Sequence, residues 1–170
     1  LISQKKRRLL DLEIKKNALA WSIGLVNNKQ IDKMNILNSS ILAIQKAIDK
    51  LKITPRFIIV DGNQFKPFKD IPYKCIIKGD NKFLSIAMAS ILAKTSRDNY
   101  IIDLVNKNPE LKKYGWIENN SYGTEQHLNA IKKYGVSNYH RKTFGICKEI
   151  IKTNIDNTDN TDNSDKNKTN

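Results

Sequence analysis

Two short apolar runs stand out in a chain whose pattern is otherwise mostly helical. Phe57-Ile58-Ile59-Val60 places four apolar residues before a carboxylate, Asp61, and the Gly62-Asn63 turn. That run predicts a short strand buried on both faces, as in a parallel sheet. Residues 73–77 predict a second buried strand, ended by Lys78-Gly79-Asp80. Residues 18–26 (ALAWSIGLV) predict a third, with helix the weaker alternative at that length.

Elsewhere apolar positions recur every three or four residues. Ser3 reads as the N-cap of a helix reaching Asn17, and a short helix is predicted over 30–34. A longer helix over 38–51 carries Ile41, Leu42, Ile44, Ala47, Ile48 and Leu51 on one stripe, and Pro55 breaks the pattern after it. Another spans 82–106 and stops before Pro109. Thr124 caps a helix reaching Tyr134, closed by Gly135. Residues 114–122 read as loop, and 139–144 as a basic, aromatic stretch without clear period. Strands alternating with helices predict an α/β fold. From Lys152 onward the residues are almost all Asn, Asp, Thr and Lys, too polar to bury a face, so 1–151 reads as one domain and 152–170 as a disordered tail. The tail's Asp/Asn alternation lacks the Gly and terminal Glu of a calcium loop.

Charge changes the picture only in part. Thirty Lys and Arg against 17 acidic residues give a formal net charge of +13, which favours a polyanionic partner, nucleic acid before a membrane surface. Base composition rich in A and T also enriches Lys, Asn and Ile, so the charge permits nucleic-acid binding without diagnosing it. Cys75 and Cys147 are the only cysteines and form no metal-ligand spacing; both read as packing thiols. No run is long enough to span a membrane and no secretory leader pattern appears, so a soluble cytoplasmic protein is expected. The chain opens with Leu1-Ile2-Ser3 and no initiator Met, as the interior of a longer protein would.

Chemistry enters with the carboxylates. Asp61 ends a strand, where ligands gather in open α/β sheets, although an Asp-Gly pair also simply starts turns. In the helix over 82–106, a stripe through Leu84, Ala87, Met88, Ile91, Thr95, Asp98, Ile102 and Val105 faces inward. Asp98 on that stripe needs a cation or several hydrogen bonds. The plainer reading is a surface acid paired with Arg97 or Lys94; Lys94, one turn earlier, is placed to hold Asp98 or to reach a phosphate. A strand-end and a helix carboxylate together suit a hard divalent cation, and paired cations of that kind cleave phosphodiesters.

The residues Phe57–Asn63, Lys78-Gly79-Asp80 and the run SIAMASILAKTSRD from Ser85 to Asp98 resemble the type 2 ribonuclease H family, bacterial ribonuclease HII. Asn35-Ile36-Leu37, Tyr122-Gly123-Thr124 with His127, and His140-Arg141-Lys142-Thr143-Phe144 match in the same order, over about residues 1–150. The resemblance implies a ribonuclease H-like mixed sheet flanked by helices, in a monomer. It implies an endonuclease that cuts the RNA strand of RNA–DNA hybrids and incises at single ribonucleotides in duplex DNA, using Mn²⁺ or Mg²⁺. By motif match Asp61 and Asp98 are its catalytic metal ligands, and Tyr122 packs on the sugar at the RNA–DNA junction, with Lys94 toward substrate. Ser121 stands where the family commonly has Gly. The family's opening Asp-Glu-Ala-Gly-Arg-Gly strand, the next strand and an Asp-Ser-Lys-Lys segment have no counterpart here, so the first two strands are expected to be missing and the chain to be inactive alone. The reading from another class is a non-catalytic nucleic-acid-binding module that uses the basic surface.

Overall fold

Side chains that cap helix ends mark out most of the elements. The structure, a computed structural model, describes residues 2–119 and 122–162, with side chains as far as Asn154. Helix α1 (Gln4–Asn17) starts where the Ser3 side chain accepts the Lys6 amide. Helix α2 (Asn28–Met34) opens on a reciprocal capping box between Asn27 and Gln30. Asn35 closes α2 with its own N–H and caps α3 (Ile36–Asp49) with its side chain, at a positive φ of 69°. Each such cap contributes about 1 kcal/mol.

Strands β1 (Ile58–Asp61) and β2 (Tyr73–Ile76) pair in parallel, with Ile58 opposite Tyr73 and Asp61 opposite Ile76. Helix α4 (Leu84–Lys107) follows, then a 3₁₀ segment (Pro109–Tyr114), α5 (Glu125–Tyr134) capped by Thr124, and α6 (Gly145–Asp162). The expected α/β class holds, with a small parallel sheet flanked by helices.

Four expectations are corrected. Residues 18–26 form no strand: the segment runs extended along α3, the Ser22 hydroxyl bonded to the Ala47 carbonyl and the Lys46 ammonium to the Leu25 carbonyl. A strand needs a neighbour for its amides, and none lies beside this segment among the described residues. Gly24 lies so close on α3 that an added Cβ would collide with the Ala43 carbonyl oxygen. The strands are also less enclosed than expected. Ile58 and Val60 are buried but Ile59 is half-buried, and Tyr73 and Lys74 of β2 are exposed, in a sheet that has two strands among the described residues. On α4 the buried positions include Ile86, Leu92, Thr95 and Val105, whereas Leu84 is exposed. Finally, α6 continues to Asp162, into the segment read as a disordered tail; its apolar start, with Ile146, Cys147 and Ile150, packs on the core and extends the helix ladder into polar sequence.

The core has two parts. Ile41 of α3 packs on Ile58 and Val60 of β1, with Phe65 and Ile71. The second part joins Val105, Leu111, Tyr114, Trp116, Ile131 and Cys147. Two histidines are folded into it. Tyr114 stacks on Trp116, and the His127 and His140 rings stack with centroids 5.3 Å apart. The His127 Nδ1–H donates to the Tyr114 carbonyl at 3.0 Å. The Ser137 amide donates to His140 Nδ1 at 3.0 Å, which leaves the ring proton on Nε2, buried without a partner. From outside, α2 grips the same region: the Asn28 amide donates to the Asn138 and His140 carbonyls. The Asp32 carboxylate accepts the Lys142 and Thr143 amides and the Thr143 hydroxyl. Burial works to raise the Asp32 carboxyl, but those donors and nearby Arg141 outweigh it and hold it below its ordinary value.

Two predictions follow from this arrangement. Burial, and then the neighbouring His127, pull His140 from 6.5 down to about 4. The unfolded chain therefore takes up a proton that the folded chain refuses. The His140 contribution is complete above pH 6.5 and is lost as pH falls through about 4. Thermal melts across that window should show the wild type losing stability toward acid, with the dependence flattened in His140→Gln. The second concerns the sheet. β1 is paired on one side only, and Leu19, Trp21 and Leu25 of the extended segment are exposed, Leu19 at 95%. Unpaired strand edges beside apolar surface template association. The 170-residue chain should self-associate at micromolar concentration in light scattering, and Leu19→Lys should raise the monomer fraction.

Candidate metal and nucleic-acid site

Parallel pairing sends both strands out on the same side, so Asp61 at the end of β1 meets the chain leaving β2. The Gly62 amide still bonds to the Ile76 carbonyl at 3.0 Å, and the Gly79 amide then donates to Asp61 Oδ1 at 2.8 Å. Lys78, in the left-handed region at φ 54°, makes the turn that aims this amide. Gly79 is buried under α4: an added Cβ would sit 2.6 Å from Ile86 Cδ1 and 3.5 Å from Asp61 Oδ1. The glycine thus fixes the exposed Asp61 side chain by one oxygen and leaves Oδ2 toward solvent.

The residue after Gly79 is Asp80, exposed and in the same short 3₁₀ turn. Asp80 thus directly follows the glycine whose amide holds Asp61, at the carboxyl ends of the two strands, a placement the sequence reading missed by treating Lys78-Gly79-Asp80 as a turn. A glycine that must admit both an aspartate and a helix is the signal that marks it.

Asp98 is elsewhere. Ile86 lies over Gly79, and Asp98 stands about 18 Å further along the α4 axis at the standard helical rise. The expected joining of Asp98 to Asp61 does not occur. Its carboxylate instead takes the Arg7 guanidinium of α1 at 2.7 Å, with the Asp98 side chain 9% exposed. A buried acid finds its cation from the helix packed alongside, which satisfies the requirement the sequence reading identified and uses Arg7 rather than Arg97 or Lys94. A shallow cleft beside it is lined by Gln4, Arg8, Ile101, Trp116 and Ile117.

Lys94 is exposed on α4 and pairs with no carboxylate among the described residues. Tyr122 is 66% exposed and its ring lies over the Arg97 guanidinium at 5.3 Å. Ser121, expected to alter the backbone before that tyrosine, lies outside the described residues. Oxygen donors at Asp61 and Asp80 fit a hard divalent cation. No cluster of three or more His, Cys, Asp or Glu side chains occurs among the described residues, so those two carboxylates supply only part of a two-cation site. Also among them, no helix is long and apolar enough to cross a membrane.

The family model described as Ribonuclease HII matches residues 1–147. A ribonuclease HII of Parabacteroides distasonis is 47% identical over 148 residues, covering 87% of this chain and 73% of that protein. The ribonuclease HII of Christiangramia forsetii is 47% identical over 151 residues, covering 89% and 75%. The crystal structure of ribonuclease H2 from Pyrococcus horikoshii OT3 superposes with a TM-score of 0.67 at 23% identity, over 88% of this chain and 76% of that one, a likeness of fold. The chain belongs to the ribonuclease HII family of endoribonucleases.

Proposed function

We propose that this protein hydrolyses the RNA strand of RNA–DNA hybrids and incises duplex DNA at single embedded ribonucleotides, leaving a 3′-hydroxyl and a 5′-phosphate. The observation that carries the reading is Asp61, held by the Gly79 amide at 2.8 Å with Asp80 adjoining, where two parallel strands end. Asp61 and Asp80 would hold Mg²⁺ or Mn²⁺ by oxygen. When bound, such a cation supplies an activated water and stabilises the leaving oxygen.

The chain's own residues do the rest. Gly79 removes the rotational freedom of the Asp61 carboxylate, so ligand geometry is set before a cation arrives. Arg7 neutralises Asp98 and fastens α1 to α4, so Asp98 acts through the position of α4. Tyr122 offers an open ring face to the sugar beside the scissile bond, where a 2′-hydroxyl distinguishes RNA from DNA. Lys94, unpaired on α4, contributes to phosphate binding.

Single substitutions separate these roles, each in protein expressed from its full reading frame. Asp61→Asn and Asp80→Asn should each abolish Mg²⁺-dependent hybrid cleavage while leaving the melting temperature and hybrid binding largely unchanged. Asp98→Asn should act on the fold, because Arg7 then keeps a partly buried charge without its partner, a loss of about 2 kcal/mol. Its cleavage should return at lower temperature. An Asp61→Asn protein that still cuts at near wild-type rate would overturn the metal assignment. Salt-sensitive binding without any cleavage by the wild type would favour a binding module. The 170-residue chain alone should show no Mg²⁺-dependent cutting in a gel assay, since the described residues leave the two-cation site incomplete.

A further inference from the structure

Tyr122 is held at its backbone and free at its ring. Its amide donates to the Asn119 carbonyl at 3.0 Å, and its carbonyl accepts the Thr124 amide at 2.9 Å. The ring, 66% exposed, is met by Arg97 from α4, with Cζ 5.3 Å from the ring centroid. Arg97 is itself exposed, and no carboxylate among the described residues pairs with it, because the adjacent Asp98 is taken by Arg7. A guanidinium that gives its face to a ring keeps its edge of N–H donors free, and that edge matches a phosphate in shape and charge.

We infer that Arg97 is the positioning residue for ribose recognition: it braces the Tyr122 ring against α4 and turns its free edge to the phosphate next to the sugar that Tyr122 faces. This rests on the reading of Tyr122 given above. The brace matters because an exposed tyrosine otherwise samples several rotamers, and a sugar contact helps only when the ring is already in place. Sequence-adjacent Asp98 makes the brace firm. Its bond to Arg7 anchors α4 to α1, so the base of the Arg97 side chain does not shift when substrate loads.

The test compares kcat/KM on duplex DNA carrying one ribonucleotide with that on a continuous RNA–DNA hybrid, in protein expressed from its full reading frame. Arg97→Gln should lower the ratio of the two by about fivefold, the scale of an exposed cation–π contact. Arg97→Lys should recover part of that loss, keeping the charge without the flat fork. Tyr122→Ala should lower the ratio at least as far, and the double variant no further, while all four proteins melt together. Equal loss on both substrates with Arg97→Gln, or additive losses in the double variant, would overturn the inference. If Tyr122→Ala lowers the ratio and Arg97→Gln does not, Arg97 alone is misassigned. If Tyr122→Ala leaves the ratio unchanged, the tyrosine reading fails and the inference with it.

Discussion

Two parallel strands end on the same side of a sheet, and a ladder one residue longer than the strands carries that geometry into the loops. The bond from the Gly62 amide to the Ile76 carbonyl is that last rung. Beyond it the β2 chain has only two residues, Ile77 and Lys78, before Gly79 reaches back to Asp61, and the left-handed Lys78 makes so short a return feasible. Ile86 then closes over Gly79, so α4 takes its starting position from the same corner. The candidate site and the longest helix are thus fixed by one constraint, the absence of a Cβ at residue 79.

From that corner α4 carries its register outward. Its far half must bury Thr95 and Val105 while passing Asp98 across an interior-facing position. Burial of a bare carboxylate is costly, and Arg7 offsets it from a neighbouring helix rather than from within α4. The Arg7 Nε and the Thr95 hydroxyl remain buried without protein partners, and the 2.7 Å pair is the one salt bridge between α1 and α4 among the described residues. This is why Asp98 affects activity through stability in the scheme above, although it lies within the run that most resembles the family.

How legible this was from sequence differs by the kind of force involved. Two helices declared themselves because caps are local: Ser3 and Thr124 each act on an amide three residues away. β1 was legible because the four apolar residues Phe57–Val60 in a row have few other uses. Residues 18–26 carry the same β-rich composition, yet a strand is defined by its partner, and no periodicity reports whether one is present. Asp98 misled for a related reason. Helical spacing tells which face a residue is on, but the distance from Asp61 depends on where the helix begins, and that is set by the Gly79–Ile86 contact. Asp80 was hidden because Lys-Gly-Asp is ordinary turn chemistry until the glycine is seen between an aspartate and a helix. The extension of α6 past Lys152 was illegible because its residues are poor helix formers, and cooperative extension from a packed first turn outweighs that preference.

In the C-terminal half, the backbone at Tyr122 is tied to the core. The Tyr122 amide hangs on the Asn119 carbonyl, the Asn119 side chain bonds to the Tyr114 carbonyl, and Tyr114 stacks on Trp116 within the histidine cluster. The same Tyr114 carbonyl receives His127 Nδ1–H, and His127 stacks on His140. α2 clamps the other end of this chain through Asn28 and Asp32. The backbone at Tyr122 is therefore tied to buried aromatic and imidazole rings rather than to the surface charges that dominate the composition. A net charge of +13 draws the protein to a polyanion along any part of its length. Under the proposed function, discrimination between one sugar and the next would fall to the Tyr122 ring, whose backbone is tied to that packed cluster through Asn119.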